Sequence, residues 1–263
     1  MVRLLDDVDA LPAGLRFVAT VGVFDGVHLG HVHVLRALAA LAAACGAVPV
    51  AITFEPHPQA VVTGRTPEFI CDPDDKLARM GDAGAGLVVV QRFDEPFRAQ
   101  TAEEFLDRLG RGRDLAGVVM SPESAFGRDR QGTVDTVRRL AARDGWRLVE
   151  ADTLELDGGR VSSGRIRDLL AAGDLEAAER LLGRRYAITG DLMSVVQRGW
   201  SVAPRAPFVM PPEGRYVADV NGVGETMVCI DGADSILVLA PTVDGLSRAE
   251  VVQIAFIRGL PSA

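Results

Sequence analysis

His28 and His31 stand three residues apart in the run VATVGVFDGVHLGHVHVL (residues 18–35), one turn apart if the segment is helical. An apolar, β-rich stretch ends at Asp25-Gly26, and an alanine-rich helical pattern follows the histidines at once. A strand that delivers a Gly-containing turn into a helix N-terminus points backbone N–H groups and the positive end of the helix dipole at an anion. Two imidazoles there can donate to phosphate oxygens and stabilise the charge that builds up in phosphoryl or nucleotidyl transfer. The same spacing also suits a surface metal pair or a merely polar helix start. Strand before and helix after is the context that separates these readings. All four histidines (His28, His31, His33 and His57) fall in the first quarter of the chain.

A second stretch with chemistry in it is GGRVSSGRIRDLL, residues 158–170. Ser162 and Ser163 can cap a helix beginning near Gly164, and Arg160, Arg165 and Arg167 gather positive charge at its start. Hydroxyls, N-terminal amides and guanidinium forks together suit a triphosphate. An ordinary capped helix with solvent-facing arginines would carry the same residues.

The chain has 263 residues, long enough for one large domain or two modest ones, and a net charge of −8. That balance argues against nonspecific binding to nucleic acid or to an anionic membrane, so neither is expected as a partner. Cys45, Cys71 and Cys229 are scattered, without a CxxC pair, which fits a reducing cytoplasm and no structural zinc. The acidic start, MVRLLDDVDALPAG, has no apolar core of a secretion signal. Residues 37–54 are uncharged and long enough to span a bilayer. Gly46 and Pro49 interrupt them, and the composition changes there from Ala/Leu to Val/Ile, so a helix followed by a buried strand is expected instead.

The elements that would position these residues alternate. A first strand leads to a helix from about His31 to Ala44, then a buried strand from Val48 to Phe54. Glu55-Pro56-His57-Pro58 leaves that strand at its C-terminal end, where open α/β sheets place ligands. A helix from Asp72 to Gly81 precedes a strand from Gly86 to Val90, and Thr101 with Glu104 forms a capping box for AEEFLDRLG. A strand from Leu115 to Met120, the polar loop SPESAFGRDRQG from Ser121 to Gly132, a helix from Val134 to Arg143 and a strand from Arg147 to Ala151 follow. Such alternation predicts an α/β fold with a doubly wound parallel sheet. A helix pair continues to Gly183. From Tyr186 onward, short apolar runs separated by Gly, Pro and Asp predict a small antiparallel barrel or sandwich.

GVFDGVHLGH, the strand end TFEPHP, the loop FGRDRQG, RVSSGRIRDLLAAGDLEAAERLLGR and Tyr186 together resemble the prokaryotic bifunctional FAD synthetase family. The resemblance runs in register from about residue 16 to 190 and then weakens, with EGRYVADV and VVQIAFIRGL resembling surviving barrel strands. It implies a Rossmann-like FMN adenylyltransferase domain over residues 1–184 and a truncated riboflavin kinase-like barrel over residues 185–263. It implies ATP, with Mg²⁺, and FMN or another phosphorylated small molecule as substrates, in the cytoplasm. His28, His31, Arg160 and Ser163 would then be catalytic. Gly22, Val23, Phe24, Asp25, Gly30, Ser162 and Arg165 would bind ATP, and Phe54, His57, Pro58, Val62, Glu123, Ser124, Phe126 and Arg128 would face the acceptor. No metal ligand is expected among the side chains.

The departures from the family pattern are specific. Ser121-Pro122-Glu123-Ser124 stands where the family has a Gly-x-Asn/Asp-Phe-type run that holds the flavin nucleotide. A Glu beside a docking phosphate repels it unless a proton, metal or arginine intervenes. Val62 stands where an aromatic packs the flavin ring, and Gly164 replaces the Thr after the paired serines. The kinase GFPTAN loop has no counterpart in residues 190–212, and no Glu base is found near Asp234-Ser235-Ile236. The expected function is adenylyl transfer to FMN without riboflavin kinase activity. A paralogue acting on another phosphorylated acceptor, and a non-catalytic flavin- or nucleotide-binding protein, are the alternatives.

Overall fold

The structure is a computed structural model that describes residues 2–195, 199–222, 224–232, 236–239 and 251–261. The chain divides into two compact units, Met1–Pro67 with Asp74–Gly158, and Glu68–Pro73 with Gly159–Ala263.

The first unit is built on a six-stranded, all-parallel sheet. Its strands are β1 (Arg3–Leu5), β2 (Arg16–Val21), β3 (Val48–Glu55), β4 (Leu87–Arg92), β5 (Asp114–Met120) and β6 (Arg147–Glu150), in the order β1-β4-β3-β2-β5-β6. The central strands read as near-continuous apolar runs because both faces are covered. On one face lie α1 (Leu29–Cys45) and α3 (Pro73–Asp82), whose Leu35, Leu38, Leu41 and Met80 pack against Val18, Ala51, Val88 and Val119. On the other lie α5 (Ala102–Gly110) and α6 (Val134–Asp144), whose Phe105, Leu109, Val137 and Leu140 pack against Phe17, Ile52, Val89 and Val118. The doubly wound α/β sheet expected from the alternation is present, and Thr101 forms the expected capping box with Glu104.

Two features differ from the sequence expectation. The acidic start contributes an edge strand, β1, paired with β4. Asp7 and Asp9 behind it are clamped by Arg108 at 2.7 and 2.8 Å. Two short helices, α2 (Pro58–Thr63) and α4 (Glu95–Arg98), each carry a proline in the first turn and are too short to show a period. As expected, the stretch 37–54 divides into the end of α1 and most of β3, with Gly46 capping the helix in the left-handed region (φ 59°). Among the described residues no helix is long and apolar enough to cross a membrane.

The second unit is a closed antiparallel barrel with two helices. After the two-residue strands β7 (Glu155–Leu156) and β8 (Gly159–Arg160) in the chain, its strands β9 (Ala187–Val195), β10 (Gly199–Pro204), β11 (Gly214–Val220), β12 (Glu225–Ile230), β13 (Ile236–Val238) and β14 (Val251–Gly259) close in the order β10-β13-β12-β11-β14-β9. Alternate residues such as Tyr216, Ala218, Val220, Val252, Ile254 and Phe256 fill the interior. Helices α7 (Ser163–Ala171) and α8 (Leu175–Leu182) group with this barrel, α8 packing against β14, whereas the sequence boundary at 184/185 places them with the sheet. Glu68–Pro73 joins them through a Phe69–Phe208 bridge and the bonds Phe69 N–H to Pro207 O (2.7 Å) and Val209 N–H to Phe69 O (3.1 Å). Such pairing between distant segments leaves no periodic trace in sequence. Within residues 190–212, where no counterpart of the kinase loop is expected, 190–195 pair with 199–204 as β9 and β10; residues 196–198, Asp234 and Ser235 lie outside the described residues.

Candidate functional site

Strand β2 leads through α1 to its neighbour β3, while β5 adjoins β2 on the other side and is entered from α5 on the opposite face. The connections therefore diverge between β2 and β5, which is where an open α/β sheet has its ligand crevice, at the strand C-termini. Three polar loops leave the adjacent strands β3, β2 and β5 at that edge: EPHP, the HLGH turn and SPESAFGRDRQG. Sequence-distant candidates are brought to one edge by this order alone.

The HLGH turn is tightly built. After β2, Gly22 N–H donates to Ile52 O (3.0 Å), and a Cβ on Gly22 would meet the Phe24 ring at 3.1 Å. Phe24 is left-handed (φ 54°), a 3-10 turn covers Asp25–Val27, and His28 is the N-cap of α1. His28 Nδ1 accepts from the backbone N–H of His31 at 3.3 Å. With Nδ1 used as the acceptor, the proton of the neutral ring sits on Nε2, which is thereby a donor. The helix starts two residues earlier than the periodicity implied, because a histidine side chain does the capping usually done by Ser, Thr, Asp or Asn. His28 is 4% exposed and Asp25 is 5% exposed. The two imidazoles stack at 3.7 Å between centroids with planes 16° apart, and Phe24 meets His31 edge-on at 5.2 Å. Gly30 lies in the first turn of α1, where its amide is one of the helix's free-end donors.

The acceptor candidates divide into wall and rim. Phe54 belongs to the core, 9% exposed, and meets Phe93 and Phe97 at 5.4 and 5.7 Å. The ring series continues through Phe105 to Phe126, so Phe126 is an outer member of one aromatic wall. Phe93, Phe97 and Phe105 were not singled out from the sequence, since isolated phenylalanines on three elements share no local pattern. His57 caps α2 by accepting from Gln59 N–H (3.1 Å), Pro58 opens that helix, and Val62 on it is 52% exposed. Glu123 and Arg128 are exposed. The Ser124 hydroxyl donates to Ser121 O at 2.7 Å, closing a turn, so its proton is spent locally. Gly127 (φ 74°) lies against α5 so closely that a Cβ would meet Ala102 N at 2.5 Å, which fixes where Phe126 and Arg128 emerge.

In the second unit, Ser162 is the N-cap of α7 and accepts from Arg165 N–H at 3.3 Å, and Ser163 is the first helical residue. Arg165 donates to Gly159 O at 2.9 Å and Arg167 to Glu68 O at 2.9 Å. Two of the three arginines thus spend donors on backbone carbonyls, a use the sequence could not show, while Arg160 is exposed. Nothing lies within 4 Å of a Cβ placed on Gly164, so a larger residue would fit there.

Other buried polar groups frame the first unit's edge. Thr20 Oγ1 donates to Val119 O (2.9 Å), tying β2 to β5, and Thr53 Oγ1 donates to Val23 O (3.0 Å), tying β3 to the HLGH turn. Among the described residues no cluster of three His, Cys, Asp or Glu side chains is placed to hold a metal ion. A cavity of about 400 Å³ lies at the opposite, N-terminal end of the sheet, lined by Arg16, Cys45, Asp114, Trp146 and Arg147. The loops that carry the candidate residues are not part of it.

Residues 13–165 match the family model described as FAD synthetase. The chain is 37% identical over 177 residues to a bifunctional riboflavin kinase/FMN adenylyltransferase of Pseudomonas fluorescens, covering 67% of this chain and 57% of that one. It is 32% identical over 224 residues to the protein of the same description from Bacillus subtilis, covering 81% of this chain and 70% of that one. The chain thus spans less than two thirds of the Pseudomonas relative. A solved structure, described as a macrolide-efflux protein from Streptococcus pneumoniae, superposes with a TM-score of 0.84 over 100% of this chain and 92% of its own, at 19% identity. At that identity the likeness is one of fold.

Proposed function

The chain belongs to the FAD synthetase family, and we propose that it transfers AMP from ATP to a phosphorylated acceptor, FMN first among them, giving FAD and pyrophosphate. The observation that carries this is the His28 ring, whose Nδ1 is held by the start of α1 so that Nε2 is the donor, stacked on His31 at the crevice of the sheet. A phosphate oxygen of FMN attacks the α-phosphorus of ATP. The bond from that phosphorus to the bridging oxygen breaks, and pyrophosphate leaves with the electron pair. The attacking oxygen is already ionised, so no general base is needed. Catalysis is positioning and charge neutralisation by His28, His31 and the amides of α1, Gly30 among them. Arg160, Ser162, Ser163 and Arg165 are assigned to phosphate contacts, and the main chain of Gly22, Val23, Phe24 and Asp25 to the nucleoside. Mg²⁺ supplies charge neutralisation when bound.

A second reading keeps the chemistry and changes the acceptor. The exposed Glu123 and exposed Val62 favour it, since neither suits a flavin phosphate or ring. The barrel is proposed to be structural, without riboflavin kinase activity. The test is pyrophosphate release from Mg·ATP with and without FMN, with products resolved by mass. FAD formation is expected. ATP binding without FAD formation would shift the acceptor to another phosphorylated compound, and conversion of riboflavin to FMN would overturn the structural role of the barrel.

A further inference from the structure

Lys76 is the only lysine in the chain. It lies half-buried on α3, and its ammonium donates to Thr53 Oγ1 at 3.4 Å. Thr53 is fully buried on β3, and its hydroxyl donates its one proton to the carbonyl of Val23 at 3.0 Å. With that proton committed, the hydroxyl can only accept from Lys76, so the bonds run in one direction from ammonium to hydroxyl to carbonyl. A charged donor at the head of such a chain polarises the hydroxyl and strengthens the bond beyond it.

The carbonyl at the end of the chain is not an arbitrary one. Val23 immediately precedes Phe24 (φ 54°), and the same turn contains Val27 at φ 36°. Left-handed backbone is unfavourable for an aromatic and more so for a β-branched residue, and it persists only where the surroundings hold it. This turn delivers the chain to His28, the cap of α1. Thr53 lies on the sheet face of Ala51, the face covered by α1 and α3, so α3 reaches the turn across one buried hydroxyl.

We propose that Lys76 is a positioning residue for nucleotide binding: through Thr53 and the Val23 carbonyl it holds the strained turn that carries His28 and His31. Its kinetic consequence rests on the adenylyl-transfer reading above; the order of the turn in the free protein does not.

The test uses the full chain and the variants K76M, K76R, T53V and K76M/T53V. Hydrogen exchange of amides 22–31 in the free protein is measured first, then steady-state kinetics with Mg·ATP and FMN. Met keeps the packing of the lysine stem without its charge. K76M and T53V are each expected to speed exchange in the turn about tenfold, the scale of a bond to a charged group. KM for ATP should rise about as much while KM for FMN stays, K76R should restore most of the loss, and the double variant should be no worse than either single. Unchanged exchange in K76M would overturn the proposal. So would additive effects in the double variant, or faster exchange spread over the whole sheet. Loosened exchange with an unchanged KM for ATP would overturn it as well. If the wild-type protein neither binds nor uses ATP, the adenylyl-transfer reading fails, and the exchange data alone still decide whether Lys76 holds the turn.

Discussion

Replacing His28 by Asn and by Ala separates two jobs that one ring performs. Nδ1 caps α1 by accepting from His31 N–H at 3.3 Å, and Nε2 is the donor assigned to the transferring phosphoryl group. Asn is among the best capping residues and can accept the same bond, whereas Ala cannot, and losing a cap costs about 0.5–2 kcal/mol. For a unit of this size a loss of 1 kcal/mol lowers the melting midpoint by roughly 2–4 °C. Both variants also lose the stacked contact with His31, a shared cost that cancels between them. H28A should therefore melt about 1–8 °C below H28N. Both should lose turnover alike, by about 10²–10³-fold, the usual effect of removing one donor to the charge that develops in the transition state. The assay pairs thermal unfolding with pyrophosphate release under saturating Mg·ATP. H28N retaining turnover within a few-fold of wild type would refute the catalytic role of Nε2. Coincident melting of the two variants would refute the capping role of Nδ1.

Gly127 sits at φ 74° with Ala102 N only 2.5 Å from a would-be Cβ, so G127A should cost at least about 1–3 kcal/mol in urea unfolding and displace Phe126 and Arg128. Tyr186 is buried in the second unit and its hydroxyl donates to Val209 O at 2.7 Å; Y186F should destabilise that unit by about 1–3 kcal/mol, read as a shift of the urea midpoint without change of slope. The side-chain bond from Arg108 holds the Asp9 carboxyl below its ordinary value of 3.8, and the pair ties the β1 segment to α5. A depressed carboxylate stabilises fully above its unfolded value and loses that contribution as pH falls through the lower folded value. The stability gap between wild type and R108M should therefore be constant near neutral pH and shrink below about pH 4. A gap that widens on acidification would contradict the ion pair.

Much of the first unit was legible because its signals are local. The apolar runs of β2 to β5, the Thr101–Glu104 box and Gly46 closing α1 each depend on residues a few positions apart, as do the paired serines opening α7 in the second unit. The HLGH turn was legible for the same reason, down to its strand-before, helix-after context. Edge strand β1 was not, since three residues held by pairing with β4 have no period of their own. The grouping of α7, α8 and Glu68–Pro73 with the barrel was equally hidden, because it rests on bonds such as Phe69 to Pro207 and Arg167 to Glu68.

By itself the sequence determined the chemistry on offer: two histidines one turn apart at a helix start, a capped second helix with arginines around it, and a parallel α/β alternation to carry them. Those are properties of neighbouring residues and of hydrophobic period, which the chain writes directly. Tertiary structure alone decided how that chemistry is aimed. The strand order β3-β2-β5 brings three loops to one edge, the His28 cap chooses which ring nitrogen donates, and backbone carbonyls claim Arg165 and Arg167. Phenylalanines from several elements become one wall, and a lone lysine on α3 reaches the turn through Thr53. Each depends on contacts between residues far apart in the chain, whose geometry is fixed only when the core closes around them.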